Sequence, residues 1–249
     1  MIASLMMYAR PELDPALGRY WQLIRRALAE RGIDAPPALS NDAEEFAVWE
    51  APDLVLSQTC GMPYRLRLHG SVSLIGTPDF GIEGCDPGYY RSAVVVRADD
   101  PRARLADYRA ARFAFNQTIS QSGYAAAYAL AQAEGFWFAD RVQTHGHVHS
   151  ARAVAEGRAD IAAIDAVTWR LIARYDSFAR DLRVLTWTNP TPGLPYIAAL
   201  GANRAATAAA VTQAIDALAP QDRATLGLKG LTALPAQAYL AVPNPPDGI

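Results

Sequence analysis

The chain has 249 residues, half of them hydrophobic, with 19% charged and a formal net charge of −2. That length buries a sizeable core without disulfide or metal staples, and the composition excludes a disordered or collagen-like chain. A charge so near zero gives no broad attraction to nucleic acid or to an anionic membrane.

Ile2 to Tyr8 is a short apolar run that predicts a first strand; it lacks the basic leader and long core of a secretory signal. Asp14 followed by Pro15 predicts a helix start, and Leu17, Tyr20, Trp21, Ile24 and Leu28 recur at helical spacing before Gly32. Asn41 is expected to cap a second helix ending at Trp49. Runs at 53–57 and 71–76 predict buried strands. Arg91 to Ala98, with its Ala-Val-Val-Val run, is the clearest strand, stopped by Asp99-Asp100-Pro101.

A strand at 112–116 then runs into Ser120-Gln121-Ser122-Gly123 and an alanine-rich helix over about 121–134. A strand at 141–144 leads to His145-Gly146-His147-Val148-His149. Beyond it, a helix closes at Gly157, a strand spans 160–164, and Asp165 opens another helix. A strand at 183–187, the turn-rich Thr188 to Pro195, a strand at 196–201 and a helix over 205–218 complete the pattern. Alternating strands and helices argue for α/β layers around mostly parallel sheets. No stretch approaches the roughly 20 apolar residues of a membrane span.

Basic residues are nearly all arginine, and Lys229 is the only lysine. That excludes a Walker-type phosphate loop or a Schiff-base lysine elsewhere. Strand ends in open α/β sheets carry ligands. Here they present Tyr8, Gln58, Thr59, Tyr90, Ser120 to Gly123, His147 and Asp165, rich in neutral donors and poor in paired acids. Such a set holds an anion better than it hydrolyses a bond. Ser120-Gln121-Ser122-Gly123 at a helix start offers unpaired amides, two hydroxyls and close backbone approach, or else a simple serine N-cap. His145, His147 and His149 alternate, so an extended segment would point all three one way. No acidic partner stands near, and no metal or other cofactor is expected. Asp165, at a strand–helix junction, reads by default as an N-cap.

Taken in order, five segments carry a resemblance. They are Tyr90-Arg91-Ser92-Ala93-Val94-Val95-Val96-Arg97, Ala111-Arg112-Phe113-Ala114-Phe115-Asn116, Ser120-Gln121-Ser122-Gly123-Tyr124, Thr144 to Ser150, and the run from Ala153 through Ala159-Asp160-Ile161-Ala162-Ala163-Ile164-Asp165. Together they resemble the phosphate/phosphite/phosphonate-binding branch of the type 2 periplasmic binding proteins, the solute receptors of ABC importers. The resemblance implies an α/β fold of two lobes joined by two crossover strands, with a small oxyanion clamped between them. Lobe 1 would be residues 1–88 plus 193–249, and lobe 2 residues 89–192. It implies that Tyr90, the Ser120–Gly123 helix start, His147 and Asp165 contact the ligand, faced by Tyr8, Gln58 and Thr59. In the family a Gly-Ser-His turn precedes the histidine; here the turn is His145-Gly146-His147.

Asp165 in an anion site would select ligands that carry a proton donor. Cys60 and Cys85 fall on one side of lobe 1, as two thiols or as a disulfide. The resemblance also implies a monomer that performs no chemistry and meets an ABC permease in the periplasm. A chain beginning natively at Met1 would instead be a cytoplasmic sensor. The alternative is a cytoplasmic cofactor-biosynthesis enzyme on the same fold, with His147 as general base and Asp165 orienting it.

Overall fold

In the computed structural model, residues 1–246 are described. The strands, in chain order, are β1 (Ile2–Ser4), β2 (Leu54–Gln58), β3 (Val72–Asp79), β4 (Ser92–Arg97), β5 (Phe113–Phe115), β6 (Arg141–Gln143), β7 (Ile161–Asp165), β8 (Leu182–Trp187), β9 (Tyr196–Ala199) and β10 (Gly230–Thr232). The helices are α1 (Asp14–Ala29), α2 (Glu45–Trp49), α3 (Gly61–Pro63), α4 (Ala126–Ala133), α5 (His147–Ala155), α6 (Ala166–Tyr175), α7 (Arg204–Asp216), α8 (Pro220–Leu226) and α9 (Ala236–Leu240).

The chain divides into two compact units. Unit 1 is Met1–Tyr89 with Pro192–Ala241; unit 2 is Tyr90–Thr191 with residues 242–246. The last three residues expected in lobe 1, 247–249, lie outside the described residues.

Unit 1 is built on a five-stranded sheet in the order β1-β2-β9-β3-β10. β1 and β2 are parallel, whereas β9 runs antiparallel to both β2 and β3, and β10 antiparallel to β3. Its core joins Val48, Trp49, Leu54, Tyr64, Leu68, Ile197 and Tyr239. α1 buries Tyr20, Trp21, Ile24 and Leu28, and Gly32 ends that turn with φ +70°. Arg19 forks onto the buried Asp222 carboxylate at 2.7 Å, tying α1 to α8.

Unit 2 holds a second five-stranded sheet, β6-β5-β7-β4-β8. β5 is parallel to β6 and β7, while β4 runs antiparallel to β7 and β8. The Ala-Val-Val-Val run explains itself here, because β4 is covered on both sides. Val94 and Val96 pack with Phe113, Phe115 and Tyr124, and Ala93 and Val95 pack with Val154, Ile164 and Ile172.

Several local expectations are corrected. Both sheets are mixed rather than mostly parallel, because β4 and β9, the first strand after each passage between units, run against the strands they join. Asp14 is the first residue of α1 rather than its cap, a position where a carboxylate still meets the positive end of the helix. Asn41 caps nothing: its Oδ1 accepts from the Ser4 hydroxyl and the Leu5 amide, closing the end of β1, and Glu44 caps α2 through Ala47 N–H. Residues after Thr59 fold into α3 and a π turn, Tyr64–Leu68. The elements α8, β10 and α9 were not anticipated.

Candidate functional site

In unit 2 the parallel strands β5, β6 and β7 end at one edge of the sheet, and each is followed by a helix start. The first amides of each helix have no partner within it, and the helix dipole makes that end positive. Three such ends at one sheet edge form a region of donors with no cationic side chain required.

After β5 the chain turns through Asn116 to Ser120 and enters a π turn, Gln121–Ala125, that runs into α4. Ser120 is the N-cap: its Oγ accepts from Gly123 N–H at 3.0 Å. Ser122 does something different, its Oγ lying 2.9 Å from His147 Nε2. Both serines, Gln121 and Gly123 are buried. Gly123 is required by close approach, since a Cβ there would stand 1.9 Å from Asn116 Oδ1 and 3.0 Å from His147 Cε1.

His147 is the first residue of α5, not part of an extended run, so the alternation of His145, His147 and His149 does not align their side chains. Helix formation turns His149 back onto the Thr144 carbonyl, and His145 sits at φ +62° beside Gln143. No group of three metal-ligating side chains occurs among the described residues. Burial pushes His147 down to about 4, slightly offset by the Ala163 carbonyl, so its imidazole is neutral at physiological pH. A base that weak is poorly matched to proton abstraction near neutrality, which argues against the enzyme alternative.

Asp165 ends β7 and caps α6, with Oδ1 accepting from Val167 N–H at 2.7 Å and Thr168 N–H at 3.1 Å. Ser92 pairs across the sheet with Asp165, and its hydroxyl donates to the Ser122 carbonyl at 2.9 Å. Ser92 therefore ties the serine turn to β4; Tyr90, which is buried, lies just before it in the separate short strand Tyr89–Tyr90. The unit thus gathers Ser120, Gln121, Ser122, Gly123 and His147, with Asp165 linked to them through Ser92.

In unit 1, Tyr8 stands edge-on to Phe80 and lines a cavity of about 30 Å³ with Gln58, Tyr20 and Tyr196. Gln58 has a structural part: its Nε2 donates to the Leu194 carbonyl and its own carbonyl accepts from Trp49 Nε1. Thr59 is buried beside it, and its hydroxyl makes no hydrogen bond among the described residues. Cys60 and Cys85 are both thiols, so the disulfide weighed for them is not formed.

Three contributors escaped the sequence reading. Ser92 lies in the strand read for its valines. Asn116 ends β5 with a buried Oδ1 that has no hydrogen-bond partner among the described residues; a lone polar residue closing Phe-Ala-Phe was the available signal. Thr144 bonds the Phe115 carbonyl and the Ser150 hydroxyl, fixing the loop that delivers His147.

Comparison with known proteins bears on the fold and the family. The family model described as ABC transporter, phosphonate, periplasmic substrate-binding protein matches residues 64–238. No curated protein matches the chain. Among solved structures, PhnD1 from Prochlorococcus marinus in complex with methylphosphonate is 16% identical, with TM-score 0.69, 96% of this chain and 93% of that one covered. XAC2383 from Xanthomonas citri, bound to ATP, is 18% identical with TM-score 0.67 over 96% and 94%. The binding-protein component of an ABC phosphonate transporter from Pseudomonas aeruginosa is 14% identical with TM-score 0.65 over 94% and 81%. At such identities the likeness is one of fold, shared with two-lobed periplasmic binding proteins at large. With the family model matching well over half its length, the chain belongs to the phosphonate-type periplasmic substrate-binding proteins of ABC transporters, a family of solute receptors and not of enzymes.

Proposed function

We propose that this receptor binds a small phosphorus oxyanion (phosphate, phosphite or a phosphonate), with the serine turn of unit 2 as its principal anchor. Tyr8, Gln58 and Thr59 of unit 1 are the further residues that we assign to the ligand. The observation that carries this reading is the Ser122–His147 pair at a helix start. With the single proton of the neutral imidazole on Nε2, the ring donates to Ser122 Oγ and leaves the serine proton for an acceptor oxygen; with it on Nδ1, Ser122 donates to Nε2 and offers the ligand its remaining lone pair. The amides after Ser120 and β6 supply further donors. Asp165, assigned to the ligand by the resemblance, is the group that would accept from a protonated oxyanion or an amino group on it.

Methylphosphonate in the Prochlorococcus protein and ATP in the Xanthomonas protein share a tetrahedral phosphorus–oxygen group, which supports this ligand class. The proposed partner is the permease of an ABC importer. No helix among the described residues is long and apolar enough to cross a membrane.

A thermal-shift screen against phosphate, phosphite, methylphosphonate, 2-aminoethylphosphonate, sulfate and an aromatic carboxylate tests it. A ligand at a hundred times its Kd adds about 2.7 kcal/mol, a rise of roughly 5–10 °C at this chain length. One phosphorus oxyanion is expected to give that rise, and Ser122→Ala and Tyr90→Phe to diminish it. A rise only with the aromatic acid would overturn the assignment.

A further inference from the structure

Unit 1 holds a second concavity, which shares no lining residue with the one around Gln58 and runs along β3 from Val72 to Gly76. Around Val72 lies a cavity of about 900 Å³. Its walls are apolar: Val72 and Leu74 from β3, Ala205 and Ala208 from α7, and Leu234 and Pro235 before α9. Ala205 and Ala208 are three apart, on one helix face, and their small side chains leave the space open.

The polar lining is confined to Tyr64, His69, Asn203 and Arg204, with no carboxylate. Arg204 makes no ion pair among the described residues, and it stands at the start of α7, where the dipole adds positive potential. Tyr64 as a whole is 2% exposed, and its hydroxyl is not among the buried polar atoms left without a partner. Arg204 is near enough for its charge to act on the Tyr64 phenol, against the upward push of burial. A tyrosine hydroxyl, an exposed guanidinium and a helix start line one largely apolar cavity of ligand size.

We propose that this cavity is a second ligand site, for a singly charged amphipathic acid whose carboxylate meets Arg204 and Tyr64 while its alkyl or aryl body lies along β3 and α7. One cation matches one negative charge, and the apolar walls exclude a compact inorganic anion from more than a fraction of the space.

Isothermal titration of the full chain with octanoate tests the site, with 1-octanol and methylphosphonate as controls. Octanoate is expected to bind at one site, equally well when methylphosphonate is saturating. Arg204→Gln should weaken it about tenfold, the loss of one charge-assisted contact. Ala208→Leu, which fills the cavity, should abolish it. Both variants should keep the wild-type circular dichroism spectrum and methylphosphonate affinity, so failure of this site and failure of the receptor reading are separable. Any of four results overturns the proposal: no octanoate binding, octanol binding as tightly as octanoate, unchanged affinity in Arg204→Gln, or competition by methylphosphonate.

Discussion

At Gly123 a single methyl group meets a side-chain oxygen at 1.9 Å and an imidazole carbon at 3.0 Å. Gly123→Ala therefore requires Asn116 to swing away and His147 to give. The expected cost is about 1–3 kcal/mol in urea unfolding, with loss of oxyanion binding, and Asn116→Ser should restore part of the stability. A Gly123→Ala variant as stable as the parent would show that the turn is looser than the contacts imply. His147 has a sign of its own. Its folded value lies near 4, below the ordinary 6.5, so between those values the unfolded chain holds more protons. Stability should be complete above about pH 6.5 and decline as pH falls toward 4, and His147→Gln should flatten that limb. The serine turn was legible in sequence because hydroxyls, glycine and an alanine-rich helix followed an apolar strand. Ser92 and Asn116 were not, since their importance comes from contacts 30 residues away in Ser122 and from packing on Gly123.

Elements end here on charged residues that serve more than one purpose. Asp165 closes β7 and opens α6 through two amide contacts. Asparagine caps about as well as aspartate, so Asp165→Asn should hold the melting temperature within a degree or two, whereas Asp165→Ala should lose about 1 kcal/mol. In ligand titrations, Asp165→Asn should weaken binding of the preferred oxyanion; unchanged affinity would leave the residue a cap alone. Beyond β4, Asp100 accepts from Arg102 through both its guanidinium and its amide. The side-chain contact with Arg102 holds the Asp100 carboxyl well below its ordinary 3.8, so its contribution is complete above that pH and fades as acid protonates it. Asp100→Asn should cost about 1–3 kcal/mol at pH 7 and remove part of the stability loss below pH 3.8. Denaturant midpoints at pH 7 and pH 3 check both.

Long periodic elements such as α1 and β4 could be read directly because burial repeats with their geometry. The C-terminal elements α8, β10 and α9 could not, being 7, 3 and 5 residues long, too short for periodicity to emerge. His145 to His149 misled for a related reason: alternation over five residues suits a strand, but the positive φ at His145 and the start of α5 at His147 redirect the chain.

For the whole molecule, the α/β class and the receptor family were readable from one ordered series of segments running from Tyr90 to Asp165. No single piece would have sufficed, because a serine at a helix start or an aspartate at a strand end is most often only a cap. What the order adds is that all the pieces belong to one unit, with β5, β6 and β7 delivering three helix starts to one sheet edge. The mixed direction of both sheets was invisible to local patterning, since strand direction is decided by pairing between distant segments. The central claim, a phosphorus oxyanion held by the Ser122–His147 turn, is tested most directly by titrating methylphosphonate and sulfate calorimetrically into the parent protein and Ser122→Ala. One methylphosphonate per chain, no heat with sulfate, and at least a tenfold (about 1.4 kcal/mol) loss in the variant are the predicted results. Methylphosphonate binding of equal strength in Ser122→Ala, or sulfate binding as tightly as methylphosphonate, would contradict it.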